Sequence, residues 1–360
     1  MSGKNWRSKE RVLAAISHEL PDRVPINYFA NADIDRRLKD HFGLAPDDDL
    51  GLRETLNVDI LGVAPEYKGP ALHSPIEGRK VNELGIRTRW VEHGSGGYWD
   101  YCDFPLKDAP EELFETWPLP SPDDYDLSNV LHVCREHSDK FLALGHPGVA
   151  DIINRSGMLA GMEDVLIYLA ERDDAFLNFI DRLNALQLGW IERTLDAADG
   201  AIDMLWMGED LGTQIAPIIS LDMYRELIRP RHQKFIDLAR SYDLKVMVHS
   251  CGSSSGFFND FIEMGIDVVD TLQPEAAKMA PEYLKKAYGE KLAFHGCIST
   301  AGPLASGTVE DVTADCRHVL ETMMPDGGYC FAPTHCIQDN SPTENVLAMY
   351  DAVLKFGTYS

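Results

Sequence analysis

Short apolar runs recur along the chain, each closed by polar or turn residues and followed by a longer stretch with helical spacing. This is the pattern of β-α units in a parallel sheet. The runs predict strands at 58–63 (VDILGV), 141–145 (FLALG), 203–207 (DMLWM), 244–248 (LKVMV), 267–271 (DVVDT), 292–295 (LAFH) and 328–332 (GYCFA). A helix is expected over 221–240, opening after Ser220 and carrying Met223, Leu227, Phe235 and Leu238 on one side. Ser341-Pro342-Thr343-Glu344 reads as a capping box with proline at the first helical position. Val346, Leu347, Tyr350, Val353 and Leu354 then form a buried stripe, and Gly357 is the expected stop. The opening residues 1–20 read as a charged amphipathic helix.

Seven or more β-α units, with no G-x-G-x-x-G after the early strands, favour an α/β chain folded as a (β/α)8 TIM barrel over an open doubly wound sheet. The stretch 66–126, with GSGGYWDY and Pro105, Pro110, Pro118, Pro120 and Pro122, breaks the pattern. It is expected to be a strand-and-loop elaboration near the N-terminus. Neither a low-complexity linker nor a solenoid repeat divides the chain, so residues 1–360 are read as a single domain.

Composition narrows the setting. A chain of 360 residues with 44% hydrophobic content can bury a large core. Its apolar runs stop well short of the roughly 18 residues a membrane span needs, and no signal peptide is read. Seven cysteines, an odd number without disulfide-framework spacing, favour a reducing cytoplasm. The formal charge of −25 argues against nucleic acid or an anionic membrane as partner. A bulky polyanionic substrate is disfavoured too, unless a local basic pocket overrides the net field.

In a barrel, chemistry sits just after the strand ends. Polar residues able to coordinate or titrate stand there after nearly every late strand: Glu209-Asp210, His249-Ser250-Cys251, Gln273, His295 and His335-Cys336. The two-residue spacing of His249 and Cys251 puts both side chains on one face of an extended segment, and imidazole with thiolate is a favoured zinc set. His335 is the preferred third ligand and Cys336 the reserve, because Ala332-Pro333-Thr334 should end the last strand and bring His335 to the rim. Cys330 and Cys297 read as packing residues. Three protein ligands and an open position are the pattern of catalytic zinc. Glu209 and Asp210 are expected to act catalytically, as general base, metal ligand or orienting acceptor. Gln273 and His295 are expected to bind substrate. His18, His41, His93, His132 and His318 are assigned no role.

With these residues in hand, the segments GEDLGTQ, VMVHSCG, LAFHGCIS and FAPTHCIQDNSPTENVLAMYDA carry a resemblance to the uroporphyrinogen decarboxylase superfamily along nearly the whole chain. The chain resembles the cobalamin-dependent methyltransferase branch more than the heme-pathway decarboxylases. Where those decarboxylases carry an arginine-rich N-terminal signature, this chain has VPINYFANADIDRR. The resemblance implies a zinc held by the His249/Cys251 pair and a later residue, where the family's cysteine is matched by His335. It implies methyl transfer between a small methylated substrate or a thiol and the cobalt of a corrinoid. The D-x-H-x-x-G cobalamin signature is absent, so the corrinoid would come on a partner protein. A cofactor-independent decarboxylase and a non-catalytic barrel that binds a methylated metabolite are the alternatives. The oligomeric state is left open, a homodimer included.

Overall fold

Each apolar run forms a strand, because β-branched and aromatic side chains in short segments bury best on a pleated sheet. The computed structural model describes residues 6–93 and 96–359. Residues 1–5 of the opening segment, Gly94 and Ser95 of the GSGGYWDY run, and residue 360 lie outside the described residues. The strands are β1 (Ile60–Val63), β2 (Phe141–Gly145), β3 (Met204–Gly208), β4 (Lys245–Ser250), β5 (Val268–Thr271), β6 (Ala293–Ile298) and β7 (Tyr329–Pro333). They lie side by side in chain order in one parallel, seven-stranded sheet.

Alternation along the strands sorts the side chains into two cores. Leu61, Leu144, Leu205, Val246, Val269 and Phe294 pack in the larger cluster that takes in the helices. Ile60, Phe141, Trp206, Met247, Val268 and Cys330 face the other way and pack together with Val12 and Ile16 of the helix Ser8–Ile16. The sheet therefore curls around an interior of its own. The segment Pro25–Asn27 spans its two edges. Asn27 N–H donates to the Phe331 carbonyl (2.9 Å), Phe331 N–H to that of Pro25 (2.8 Å), and Asp59 N–H to that of Ile26 (2.8 Å). The fully buried Asp59 carboxylate accepts from Ile26 N–H (2.9 Å) and pairs with Arg11 (2.8 Å) and Arg23 (2.7 Å).

Two helical expectations are corrected in detail. Ser220 does cap the 221–240 segment, its Oγ accepting from Met223 N–H (3.1 Å). The helix is interrupted, however, by a π-helical stretch at Tyr224–Ile228 before it resumes as Arg229–Ser241. Pro230 has no N–H to give the carbonyl four residues back, and a wider turn accommodates the loss. The last helix, Thr343–Phe356, starts on Pro342 without a side-chain cap. Ser341 Oγ is buried and makes no hydrogen bond, so no capping box forms there.

Within 66–126 the chain forms an antiparallel pair, Glu66–Tyr67 with Tyr125–Asp126. It also forms a three-stranded antiparallel sheet, Lys80–Val81, Arg87–His93 and Gly96–Tyr101. Among the described residues no helix is long and apolar enough to cross a membrane.

Candidate metal centre and cavity

Register assembles the site. His249 on β4, Asp270 on β5 and His295 on β6 are direct neighbours across three strands, so their side chains stand in one row on the inner face, one layer beyond Met247, Val268 and Ala293. All three are buried. Asn27 Nδ2 donates to His295 Nε2 (3.0 Å), because its Oδ1 is already taken by Tyr28 N–H (2.8 Å). His295 must then donate through Nδ1 to Asp270 Oδ1 (2.6 Å), and His249 Nδ1 lies 2.7 Å from Asp270 Oδ2. One carboxylate thus orients two imidazoles. His249 is left with Nε2 facing out of the row, toward Cys251 Sγ (3.3 Å) and Asp210 Oδ1 (3.8 Å).

Ligand-type atoms of Asp210, His249 and Cys251 all lie within 4.8 Å of one another. One backbone and one side-chain donor fix Asp210 there: Cys251 N–H donates to its Oδ1 and Asn154 Nδ2 to its Oδ2, both 2.8 Å. Behind Cys251 the chain turns at Gly252, whose φ is +70° and where a Cβ would stand 2.2 Å from the Gly212 carbonyl oxygen. Only glycine fits so close a backbone approach. Gln273, expected to contact substrate, fixes this turn instead, its Oε1 accepting from Gly252 N–H (2.7 Å).

Electrostatics follow from the geometry. Burial opposes charge on both Asp270 and His249, yet each outweighs it for the other: the imidazoles hold Asp270 below the usual carboxylate range, while Asp270 and Cys251 raise His249 well above the usual histidine value. Burial raises the Cys251 thiol, with His249 pulling the other way.

The centre opens on a cavity of about 650 Å³. Asp210, His249 and His335 reach it from the strand ends, and Tyr67, Glu83 and Tyr125 from the 66–126 region, which thereby forms one of its walls. Tyr67 and Tyr125 stack edge-on at 5.5 Å, and Tyr125 lies 6.1 Å from Trp190, giving a continuous aromatic side.

The remaining sequence candidates fall outside the donor cluster. His335 borders the cavity, but its ring centre is 6.3 Å from that of His249; burial and the nearby His249 lower its pKa. Cys336 is not among the residues lining the cavity, and burial and Asp35 push its thiol up to about 11. His295 does not border the cavity, because β6 runs three residues beyond it and both ring nitrogens are engaged. Glu209 is buried, its two oxygens accepting from Ile152 and Ile153 N–H (2.9 Å each), so it caps the helix Ile153–Ala160. Burial pushes Glu209 up to about 8 against those two bonds.

Sequence reasoning passed over Asp270, Asn27, His146, Asp151, Asn154 and Arg155. The last four follow β2, and the strand-end rule that found Asp210 would have found them. Burial, with Glu209 and Asp210 alongside, raises Asp151 well above the usual range, while burial and Arg155 lower His146 to about 4.

A curled parallel α/β sheet with a nitrogen, oxygen and sulfur donor set at its carboxyl end defines the class: an α/β protein with a candidate metal centre at the strand ends. Residues 157–356, more than half of the chain, match the uroporphyrinogen decarboxylase (URO-D) family, and the chain belongs to that family. A methyltransferase from Methanosarcina mazei has the same fold, with a TM-score of 0.68 over 98% of this chain and 99% of its own at 18% identity. A 3-keto-D-glucoside 4-epimerase from E. coli is far more distant, with a TM-score of 0.39 at 14% identity over 64% of this chain and 86% of its own. No curated protein sequence matches.

Proposed function

We propose that the protein is a zinc-dependent methyltransferase that moves a methyl group between a small methylated substrate, or a thiol, and the cobalt of a corrinoid carried by a partner protein. The observation that carries this reading is the convergence of Asp210, His249 and Cys251 within 4.8 Å at the sheet's carboxyl end, with Asp270 oriented behind His249. Borderline nitrogen, oxygen and thiolate donors with a carboxylate behind the imidazole suit zinc. In this reading Asp210 takes the third position expected for His335, and His335 stands across the cavity. When bound, zinc polarises the heteroatom that carries or accepts the methyl group and favours its anionic form.

The chain's own residues supply the rest. Asp270 keeps Nε2 of His249 aimed at the centre, and Asn154 together with Cys251 N–H fixes both oxygens of Asp210. The cavity volume suits a drug-sized ligand, so the corrinoid is assigned to the mouth. We read the sheet and the Pro25–Asn27 segment as a (β/α)8 barrel, residues 1–360 as one domain with 66–126 as its elaboration, and the free cysteines as fitting the cytoplasm.

Elemental analysis after purification without chelators tests the metal. About one zinc per chain, lost in Cys251→Ser, supports the site, whereas full metal in Cys251→Ser overturns it. Turnover with a reduced corrinoid then tests the reaction. The family match also supports a second reading, decarboxylation without metal, which a metal-free and fully active preparation would favour.

A further inference from the structure

Arg155 is the one lysine or arginine among the side chains bordering the cavity. It belongs to the helix Ile153–Ala160, next to Asn154, which holds Asp210. One end of its guanidinium donates to the Gly148 carbonyl, and it forms no ion pair with any described residue. Most arginines in this acidic chain are paired, as Arg11 is with Asp22 and Asp59, Arg231 with Asp181 and Arg240 with Asp267. An enclosed guanidinium without an ion-pair partner in contact is costly to keep, and its planar fork matches a carboxylate bidentately. Asp151, Glu83 and Glu209 act on Arg155 through space, but none is in ion-pair contact with it, and burial and Glu209 hold Asp151 well above the usual carboxylate range. The continuous aromatic side, Tyr67, Tyr125 and Trp190, borders the same cavity.

We propose that Arg155 is a substrate-binding residue and that the cavity takes a compact carboxylate-bearing ligand, its carboxylate on the guanidinium and its flat apolar body on the Tyr125–Trp190 side. The proposal rests on the methyltransferase reading only for the ligand's far end, which would reach the Asp210–His249–Cys251 centre. The carboxylate grip itself needs neither metal nor corrinoid.

The test therefore uses binding, on chelator-treated and on zinc-loaded protein alike. The probes are 4-methoxybenzoate, its neutral isostere 4-methoxybenzamide and the cation 4-methoxybenzylammonium, followed by calorimetry and tryptophan fluorescence. The expected result is that wild type binds the acid about tenfold more tightly than the amide, the size of one charge-assisted bidentate pair. Arg155→Met should abolish that preference while keeping affinity for the amide, and Arg155→Lys should keep part of it. Retained amide binding shows that the variant cavity is intact. Equal binding of acid and amide by wild type, an unchanged preference in Arg155→Met, or no carboxylate binding up to solubility overturns the proposal. Preference for the ammonium also overturns it, since Glu66 and Glu83 would then set the selectivity. A carboxylate preference without any zinc uptake would uphold Arg155 and defeat the metal reading, and zinc uptake without the preference would do the reverse.

Discussion

At the residue scale, the site turns on one carboxylate that serves two imidazoles. Removing the charge of Asp270 while keeping its shape should free His249 to rotate and to change tautomer. Asp270→Asn is expected to weaken zinc about 10- to 100-fold, measured by competition with a chromophoric chelator. His335→Ala should change zinc affinity far less than Cys251→Ser, and Cys336→Ala not at all; a larger loss in His335→Ala would return that histidine to the ligand set. Protons compete at the same atoms. Because Asp270 and Cys251 hold a proton on His249 well above the usual histidine range, zinc affinity should fall as the pH is lowered through neutrality, read from the same competition at several pH values. A set of one imidazole, one thiolate and one carboxylate leaves a zinc centre neutral. A thiolate and two imidazoles would leave it one unit positive and a stronger Lewis acid.

His249, Cys251 and Asp210 were legible because they interrupt apolar strands at their ends, where a parallel α/β fold exposes side chains. Asp270 was not. It lies inside VVDT, and an acid within an apolar strand declares itself only when the register sets it between two histidines. The position of His295 was hidden for the matching reason, since its run continues as strand to Ile298 and keeps the side chain inside.

At the scale of elements, the strands were readable to within about three residues from apolar runs and punctuation, whereas helix ends depended on tertiary partners. Glu209 reaches across from the end of β3 to cap a helix whose own N-cap, Ile152, has no side chain able to do so. No local motif announces this. The capping carboxyl carries a pH signature. Its folded value of about 8 is above its ordinary 4.5, so the folded state holds the extra proton; the stability this lends is complete below about 4.5 and is lost as the pH rises toward 8. The unfolding free energy of chelator-treated protein should therefore fall over that window, by on the order of a few kcal/mol at most, read from denaturation at several pH values. Glu209→Gln should flatten the slope, and an unchanged slope would assign it to another group. The π-helical stretch before Arg229 was equally hidden, although Pro230 marked where a regular helix could not continue.

At the scale of the whole molecule, the two edges of the sheet are joined by a segment that the apolar pattern did not reveal. Pro25, Ile26 and Asn27 form too short a run to read as a strand, and their pairing is long-range. Asp59 anchors that segment through two arginines and a backbone amide. Asp59→Ala should cost about 3–5 kcal/mol, because it leaves the partly buried Arg23 without its ion-pair partner and Arg11 with Asp22 alone, and should appear as a lowered denaturation midpoint. The 66–126 region reads as strands and loops in the sequence, but its contribution, one wall of the cavity, was not legible because it depends on where the sheet's mouth lies.

The hydrogen-bonded row that starts at Asn27 has a thermodynamic corollary. The residue that begins it sits on the edge-joining segment, and the residue that ends it presents its nitrogen to the candidate metal. An ion bound there would draw on the same bonds that hold the N-terminal segment in place, so occupancy and ring closure become linked quantities, each strengthening the other by the same free energy. Chelation should then speed hydrogen exchange at the amides of Ile26 and Asn27, far along the row from the metal, before it loosens the helices outside. The ion would serve as a clasp on the fold as well as a reagent in the cavity.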